Sequence, residues 1–188
     1  MLLDRGADVN AQGGEYGNAL QAASYHGHDM VAQTLLDRGA DVNAHEGFYG
    51  HALQAASRGG HDMVVQMLLD KRADINAQGG EYGNALQAAS QGGHDMVVQL
   101  LLDKQADVNA QGGRYDTALQ AASQGGHEIV VQLLLDKQAD VNAKGGMYGT
   151  ALQAASMGGH RKVVQMLLDK RADINAQGGE YDTALQAA

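Results

Sequence analysis

The chain predicts an all-α repeat solenoid, a stack of helix-turn-helix units with projecting β-turn or hairpin fingers, and three observations carry that prediction. The hexapeptide Ala-Leu-Gln-Ala-Ala-Ser begins at Ala19, Ala52, Ala85, Ala118 and Ala151, and its first five letters return at Ala184, so the sequence repeats every 33 residues. Most of these blocks are followed by a glycine pair, as at Gly92-Gly93, where a short helix can stop because glycine enters the left-handed region without a Cβ penalty. Beyond the pair comes a second apolar stripe, Val97, Val98, Leu101 and Leu102, at the i, i+3, i+4 spacing of an amphipathic helix. Self-similarity at a fixed period means that each unit buries its apolar face only against its neighbours.

Each element of one unit follows from its residues. Asn84 is placed to cap a first helix over 85–90, whose alanines favour helix and permit close stacking. A second helix is expected from about His94 to Lys104, with Asp95 near its positive end and Lys104 near its negative end. Residues 106–110 read as a short extended stretch, and Gln111-Gly112-Gly113-Arg114-Tyr115-Asp116 as the tight turn of the finger. In this frame the complete units are 12–44, 45–77, 78–110, 111–143 and 144–176, with partial units at 1–11 and 177–188.

Composition narrows the function classes. The 188 residues carry a formal charge of −9, with 13 Lys and Arg against 22 Asp and Glu, which argues against a surface built to neutralise phosphates, so no nucleic-acid partner is expected. The absence of cysteine excludes disulfides, thiolate metal sites and thiol nucleophiles, and suits a reducing compartment. No apolar run approaches a membrane span and Met1-Leu2-Leu3 is too short for a signal peptide, so no membrane partner is expected. An intracellular, cytoplasmic setting is the default, with the nucleus left open.

Helix, Gly-His (Gly93-His94, Gly126-His127), Val-Val-x-Leu-Leu-Leu, Asp-Val-Asn (Asp107 to Asn109, Asp140 to Asn142), turn and Thr-Ala-Leu-Gln, all in register at 33, resemble the ankyrin repeat over the whole chain. The wording of the units is similar to the near-identical arrays of filamentous-fungal proteins, many attached to nucleotide-binding immune-type receptors. The resemblance implies an L-shaped stack whose concave side is made by first helices and fingers, and a role in protein–protein recognition without catalysis. Departures are visible. The family's Thr-Pro-Leu-His is Thr117-Ala118-Leu119-Gln120 here, and the glycine after the second helix, kept as Gly6 and Gly39, becomes Arg72, Gln105, Gln138 and Arg171. A left-handed backbone at those four would cost on the order of 1 kcal/mol each.

Candidate catalytic, cofactor and metal chemistry is weak. His28, His61, His94, His127 and His160 lie one per unit, and stacked helices about 8–10 Å apart cannot bring equivalent residues within about 2 Å of one ion. His26 and His28 form the single close pair. Gly79-Gly80-Glu81-Tyr82-Gly83 lacks the Gly-Lys-Ser/Thr of a phosphate loop. The serines ending the first helices, such as Ser90, have no acid to orient a base. No catalytic residue, cofactor or metal is therefore assigned, and the chain is read as a non-enzyme.

Recognition is expected where the units differ. The units 85–117 and 118–150 differ only at Asp95/Glu128, Met96/Ile129, Gln111/Lys144, Arg114/Met147 and Asp116/Gly149. One variable row runs through the fingers, Glu15, Phe48, Glu81, Arg114, Met147 and Glu180, and another follows the first helix, Tyr25, Arg58, Gln91, Gln124 and Met157. The ankyrin resemblance puts both on the concave side. Of these, Tyr25, Phe48, Arg58, Glu81, Gln91, Arg114, Gln124, Met147 and Met157 are the candidate partner-binding residues, their mixture of aromatic, Arg and Met suiting an interface. The partner is a protein of unspecified identity. Two other readings stand beside this one: the sensor or regulatory array of a larger nucleotide-hydrolysing receptor-type protein, and a structural spacer. Met1 aligns with the middle of a second helix and Ala188 with a first helix, so uncapped ends, end-to-end self-association and a chain cut from a longer array are expected.

Overall fold

A computed structural model describes residues 6–179 and Ala184. Met1, Glu180, Tyr181 and Ala188, and with them the expectations about uncapped ends, lie outside the described residues. Within them ten helices alternate in five pairs: α1 (Ala19–Tyr25) with α2 (Asp29–Asp37), α3 (Ala52–Gly59) with α4 (Asp62–Asp70), α5 (Ala85–Gly92) with α6 (Asp95–Asp103), α7 (Ala118–Gly125) with α8 (Glu128–Asp136), and α9 (Ala151–Met157) with α10 (Arg161–Asp169). No sheet forms among the described residues. The finger of each complete unit closes with one isolated antiparallel bridge, such as Gly79 to Gly83 and Gly112 to Asp116.

Four of the five first helices carry a side-chain cap, from Asn18, Asn84, Thr117 and Thr150, and the cap expected at Asn84 is among them. Asn84 Oδ1 accepts from the Gln87 amide at 2.9 Å, and Gln87 Oε1 accepts from the Asn84 amide at 2.6 Å, a reciprocal capping box. Thr117 and Gln120 repeat it in the next unit. The helix then runs two residues further than expected, through Gly92, and Gly93 takes the left-handed turn at φ 71°. A Cβ on Gly93 would strike the His127 ring of the following unit, so both the backbone and its neighbour require glycine here.

Each first helix packs most extensively on the first helix of the next unit, and each second helix on its own partner and its sequential neighbours. One continuous main core results, beside a smaller cluster of Tyr115, Ala121, Tyr148 and Ala154. In the central unit the main core contains Leu86, Ala89, Val97, Val98 and Leu101, each at most 1% exposed. Burial of each large aliphatic side chain contributes about 1.5–3 kcal/mol, so stability is distributed along the stack.

Residues 106–110 are not extended. Ala110 N donates to Asp107 O at 3.3 Å and Asn109 N to Asp107 Oδ1 at 3.0 Å, closing a turn that the alternation of apolar and polar letters had masked. Asn109 Oδ1 in turn accepts from Asp140 N at 2.8 Å, and the same Asn-to-Asp clip joins every successive described unit from Asn10 to Asp173. Arg72, Gln105, Gln138 and Arg171 do keep the left-handed backbone, at φ 65–68°. Asp116 joins them at φ 71°, where the other described fingers have glycine.

Candidate functional site

The two variable rows share one face, built from the fingers and the C-terminal ends of the first helices. In the finger row, the amide of each variable residue donates to the carbonyl of its predecessor: Phe48 to Glu15 at 3.0 Å, Glu81 to Phe48 at 3.1 Å, Arg114 to Glu81 at 2.9 Å and Met147 to Arg114 at 3.2 Å. A continuous line of backbone bonds therefore fixes the row whatever its side chains are. The finger tyrosines stack beneath it. Tyr16, Tyr49 and Tyr82 lie ring on ring at 6.1 Å per step with interplanar angles of 11° and 13°, and Tyr115 stacks on Tyr148 at 5.8 Å. Tyr49, Tyr115 and Tyr148 are buried, so these rings are mostly packing material.

The first-helix row is pinned differently. The second-helix histidine of each following unit reaches back, and its Nε2 donates to the carbonyl of the variable residue: His61 to Tyr25 at 2.9 Å, His94 to Arg58 at 3.0 Å, His127 to Gln91 at 3.1 Å and His160 to Gln124 at 2.9 Å. A carbonyl only accepts, which fixes the proton on Nε2. The histidines cap no helix with their side chains.

Side chains of the two rows meet above this frame. Tyr25 stacks on Tyr49 at 4.6 Å, and the Arg58 guanidinium sits 5.4 Å from the Tyr82 ring centre, a cation–π contact. Phe48, 43% exposed, stands edge-on to Tyr49 and Tyr82. Glu81 and Arg114 are neighbours across one finger step, with Arg114 Nη1 donating to Glu81 Oε1 at 2.9 Å. Met147 and Met157 pack on the Tyr115, Tyr148, Ala121 and Ala154 cluster. Gln91 and Gln124 are half-buried beside it. Arg58 Nε and Gln91 Oε1 are buried polar atoms with no hydrogen-bond partner among the described residues.

The electrostatics are those of a packed surface. Burial first, and then the Tyr25 hydroxyl, push the Tyr49 phenol well above its usual range. Burial, reinforced by Tyr148, raises Tyr115. Both stay neutral at physiological pH. Among the described residues, no group of three or more His, Cys, Asp or Glu could hold a metal ion. The His26 and His28 rings stack at 5.7 Å.

Both rows are legible in the sequence, but their cross-contacts are not, because these depend on how far each finger overlaps the next. The pair His45 and His51, whose rings lie 4.8 Å apart, was not expected. Their signal was available, since His51 stands where the other described units have Asn or Thr.

A stack of helix pairs with fingers, one continuous main core and a face of individually varied side chains defines a repeat-solenoid interaction scaffold. The family model for ankyrin repeats matches three times, over residues 1–79, 20–112 and 85–178, and the chain belongs to the ankyrin repeat family. Its structure is similar to the crystal structure of the human ASB11 ankyrin repeat domain, at 26% identity and a TM-score of 0.78, covering 91% of this chain and 76% of that one. No curated protein matches the chain. Ankyrin repeats generally mediate protein–protein interaction, and the fold is typically a non-catalytic scaffold.

Proposed function

We infer that the concave side, made by fingers and first helices, binds a protein partner through Phe48, Glu81, Arg114 and Met147 in the finger row and Tyr25, Arg58, Gln91, Gln124 and Met157 in the first-helix row. One observation carries this reading. From Phe48 to Met147 in the finger row and from Tyr25 to Gln124 in the first-helix row the backbone is held in the same way by hydrogen bonds while most side chains change, an arrangement suited to individual recognition on a uniform frame. The cysteine-free composition favours an intracellular site of action.

The test uses a photo-crosslinking residue in place of Phe48 or Met147, expressed in the source cells, with and without the substitutions Arg58→Ala and Arg114→Ala. Reproducible crosslinking to one protein, lost in the substituted form, is expected. Undiminished capture by the substituted form overturns the assignment.

The near identity of neighbouring units favours a second reading, in which the array is the sensor part of a larger nucleotide-hydrolysing receptor like those of filamentous fungi. A natural reading frame that encodes no nucleotide-binding module beside the array overturns it. A spacer predicts no specific crosslink at either position.

A further inference from the structure

The second helices carry a row that the finger and first-helix face does not use. Their second residues are Met30, Met63, Met96 and Ile129, which are 75%, 67%, 68% and 64% exposed. Amphipathic patterning predicts a polar residue there, since the same helices bury Val97, Val98 and Leu101 on the opposite side. Repeated unit by unit, the four side chains follow the Gly-His turns, at the starts of the second helices. Shallow grooves separate neighbours; one is lined by Gly93, Asp95, Gly126, His127, Glu128 and Ile129. Contiguous exposed apolar residues rimmed by polar ones mark interaction sites, and methionine adapts readily to varied apolar partners.

Charge distinguishes this edge further. The residue before each apolar one is Asp29, Asp62, Asp95 or Glu128. A carboxylate at a helix N-terminus is favourable in itself, but that gives no reason for the apolar neighbour. In the last complete unit both positions change sign or character, to Arg161 and Lys162, and Lys162 Nζ lies 3.4 Å from Glu128 Oε2. The apolar and acidic rows thus extend over four units and end at a pair of cations.

We propose that this edge seats a basic amphipathic helix of a partner protein, with its apolar residues on Met30, Met63, Met96 and Ile129 and its Lys or Arg residues facing the carboxylates. Spacing selects a helix. Stacked helices lie about 8–10 Å apart, and residues seven apart on an α-helix are separated by about 10.5 Å, so one apolar residue per heptad meets one per unit. Three steps span about 24–30 Å, the length of about 16–20 helical residues. Arg161 and Lys162 repel a basic helix that runs further, which fixes its end. A second copy of this chain fits poorly, because its charge is −9.

The probe is a synthetic helical peptide of about 18 residues with Leu at every seventh position and Lys on either side, its length set by the span above. The control replaces each Leu by Ser at equal charge. Fluorescence anisotropy is expected to give an affinity for the Leu peptide about tenfold or more above the control. The double variant Met63→Gln, Met96→Gln lowers it to the control level, and Asp62→Lys with Asp95→Lys weakens both peptides. Phe48→Ala with Arg114→Ala changes nothing, which separates this edge from the concave side. Equal affinity for the two peptides overturns the proposal, as does unchanged binding by the methionine variant or loss in the Phe48 variant. A dimer of the free chain that the methionine variant dissociates overturns it too, assigning the row to self-association. Both methionines project into solvent, so unchanged thermal melting of the variants is expected.

Discussion

His94 reaches back 36 residues to the carbonyl of Arg58, donating from Nε2 at 3.0 Å, while Arg58 lays its guanidinium on Tyr82. One histidine thereby ties the start of α6 to the end of α3, the first helix of the preceding unit. It also holds the main chain of a residue whose side chain belongs to the variable face. Scaffold and surface are coupled at this point, which explains how the array can vary Tyr25, Arg58, Gln91 and Gln124 without losing the stacking register.

His94→Ala removes the donor and leaves a half-buried carbonyl without it, at a cost of about 2 kcal/mol. Urea denaturation checks this. His94→Gln is expected to recover part of the loss, since its amide can still donate.

Acid should weaken the stack through two histidines. Burial lowers the pKa of His94, opposed by its bond to the Arg58 carbonyl and assisted by electrostatic repulsion from Arg58, His61 and His127. Burial also lowers His51, with His45 adding to it and Asp74 opposing. Each folded pKa lies below the unfolded value near 6.5, so the unfolded chain takes up the protons first. Stability is therefore full above about pH 6.5 and falls as the pH drops through the folded values. Melting temperatures measured from pH 7.5 to 5 should decline, and a flat profile would contradict the assignment.

Arg72, Gln105, Gln138 and Arg171 hold a left-handed backbone, and the carbonyls of Arg72, Gln138 and Arg171 accept from Asn43, Asn109 and Asn142 Nδ2 at 3.3–3.4 Å. Gly39 receives the same bond from Asn10, so the clip does not depend on the side chain. Replacing any of the four by glycine should raise unfolding free energy by up to about 1 kcal/mol. A loss of stability in all four would show that their side chains contribute more than the strain costs.

The helix pairs were legible because each is written in a 3.6-residue pattern ended by glycine, and all but the second pair open on an Asn or Thr cap. The turn after the second helix was not. Asp107 accepts from Asn109 two residues on, a local side-chain bond that competes with the extended reading of Ala-Asp-Val-Asn-Ala. Positions of the variable face could be read by aligning units, yet Tyr25 on Tyr49, Arg58 over Tyr82 and Arg114 with Glu81 each bridge two units. Their pairing is set by the stacking offset, which no single unit encodes. The row from Met30 to Ile129 escaped notice for a different reason, since an apolar letter in a helix is assigned to the core by default.

Tyr115 is 7% exposed and stacks on Tyr148 inside the cluster with Ala121 and Ala154. Tyr115→Ala should cost about 3 kcal/mol, in the range for truncating a buried aromatic ring, whereas Tyr115→Phe should stay within about 1 kcal/mol. Thermal melting of the two variants separates ring packing from any part played by the hydroxyl.

His51 occupies a cap position without capping: no side-chain bond reaches the start of α3, and its Nδ1 accepts from Gln54 Nε2 at 3.0 Å. Gln54 Oε1 is left buried without a partner among the described residues. In the next unit the same two positions, Asn84 and Gln87, form the full capping box. His51→Asn should install it, satisfying both the amide of Gln54 and its idle Oε1, for a gain of about 1 kcal/mol. Protonation of His51 puts a hydrogen on the nitrogen that now accepts from Gln54, so the variant should also lose part of the decline between pH 7.5 and 5. Chemical denaturation at both pH values distinguishes the effects. A gain at pH 7.5 with an unaltered acid limb would assign the acid sensitivity to His94 alone.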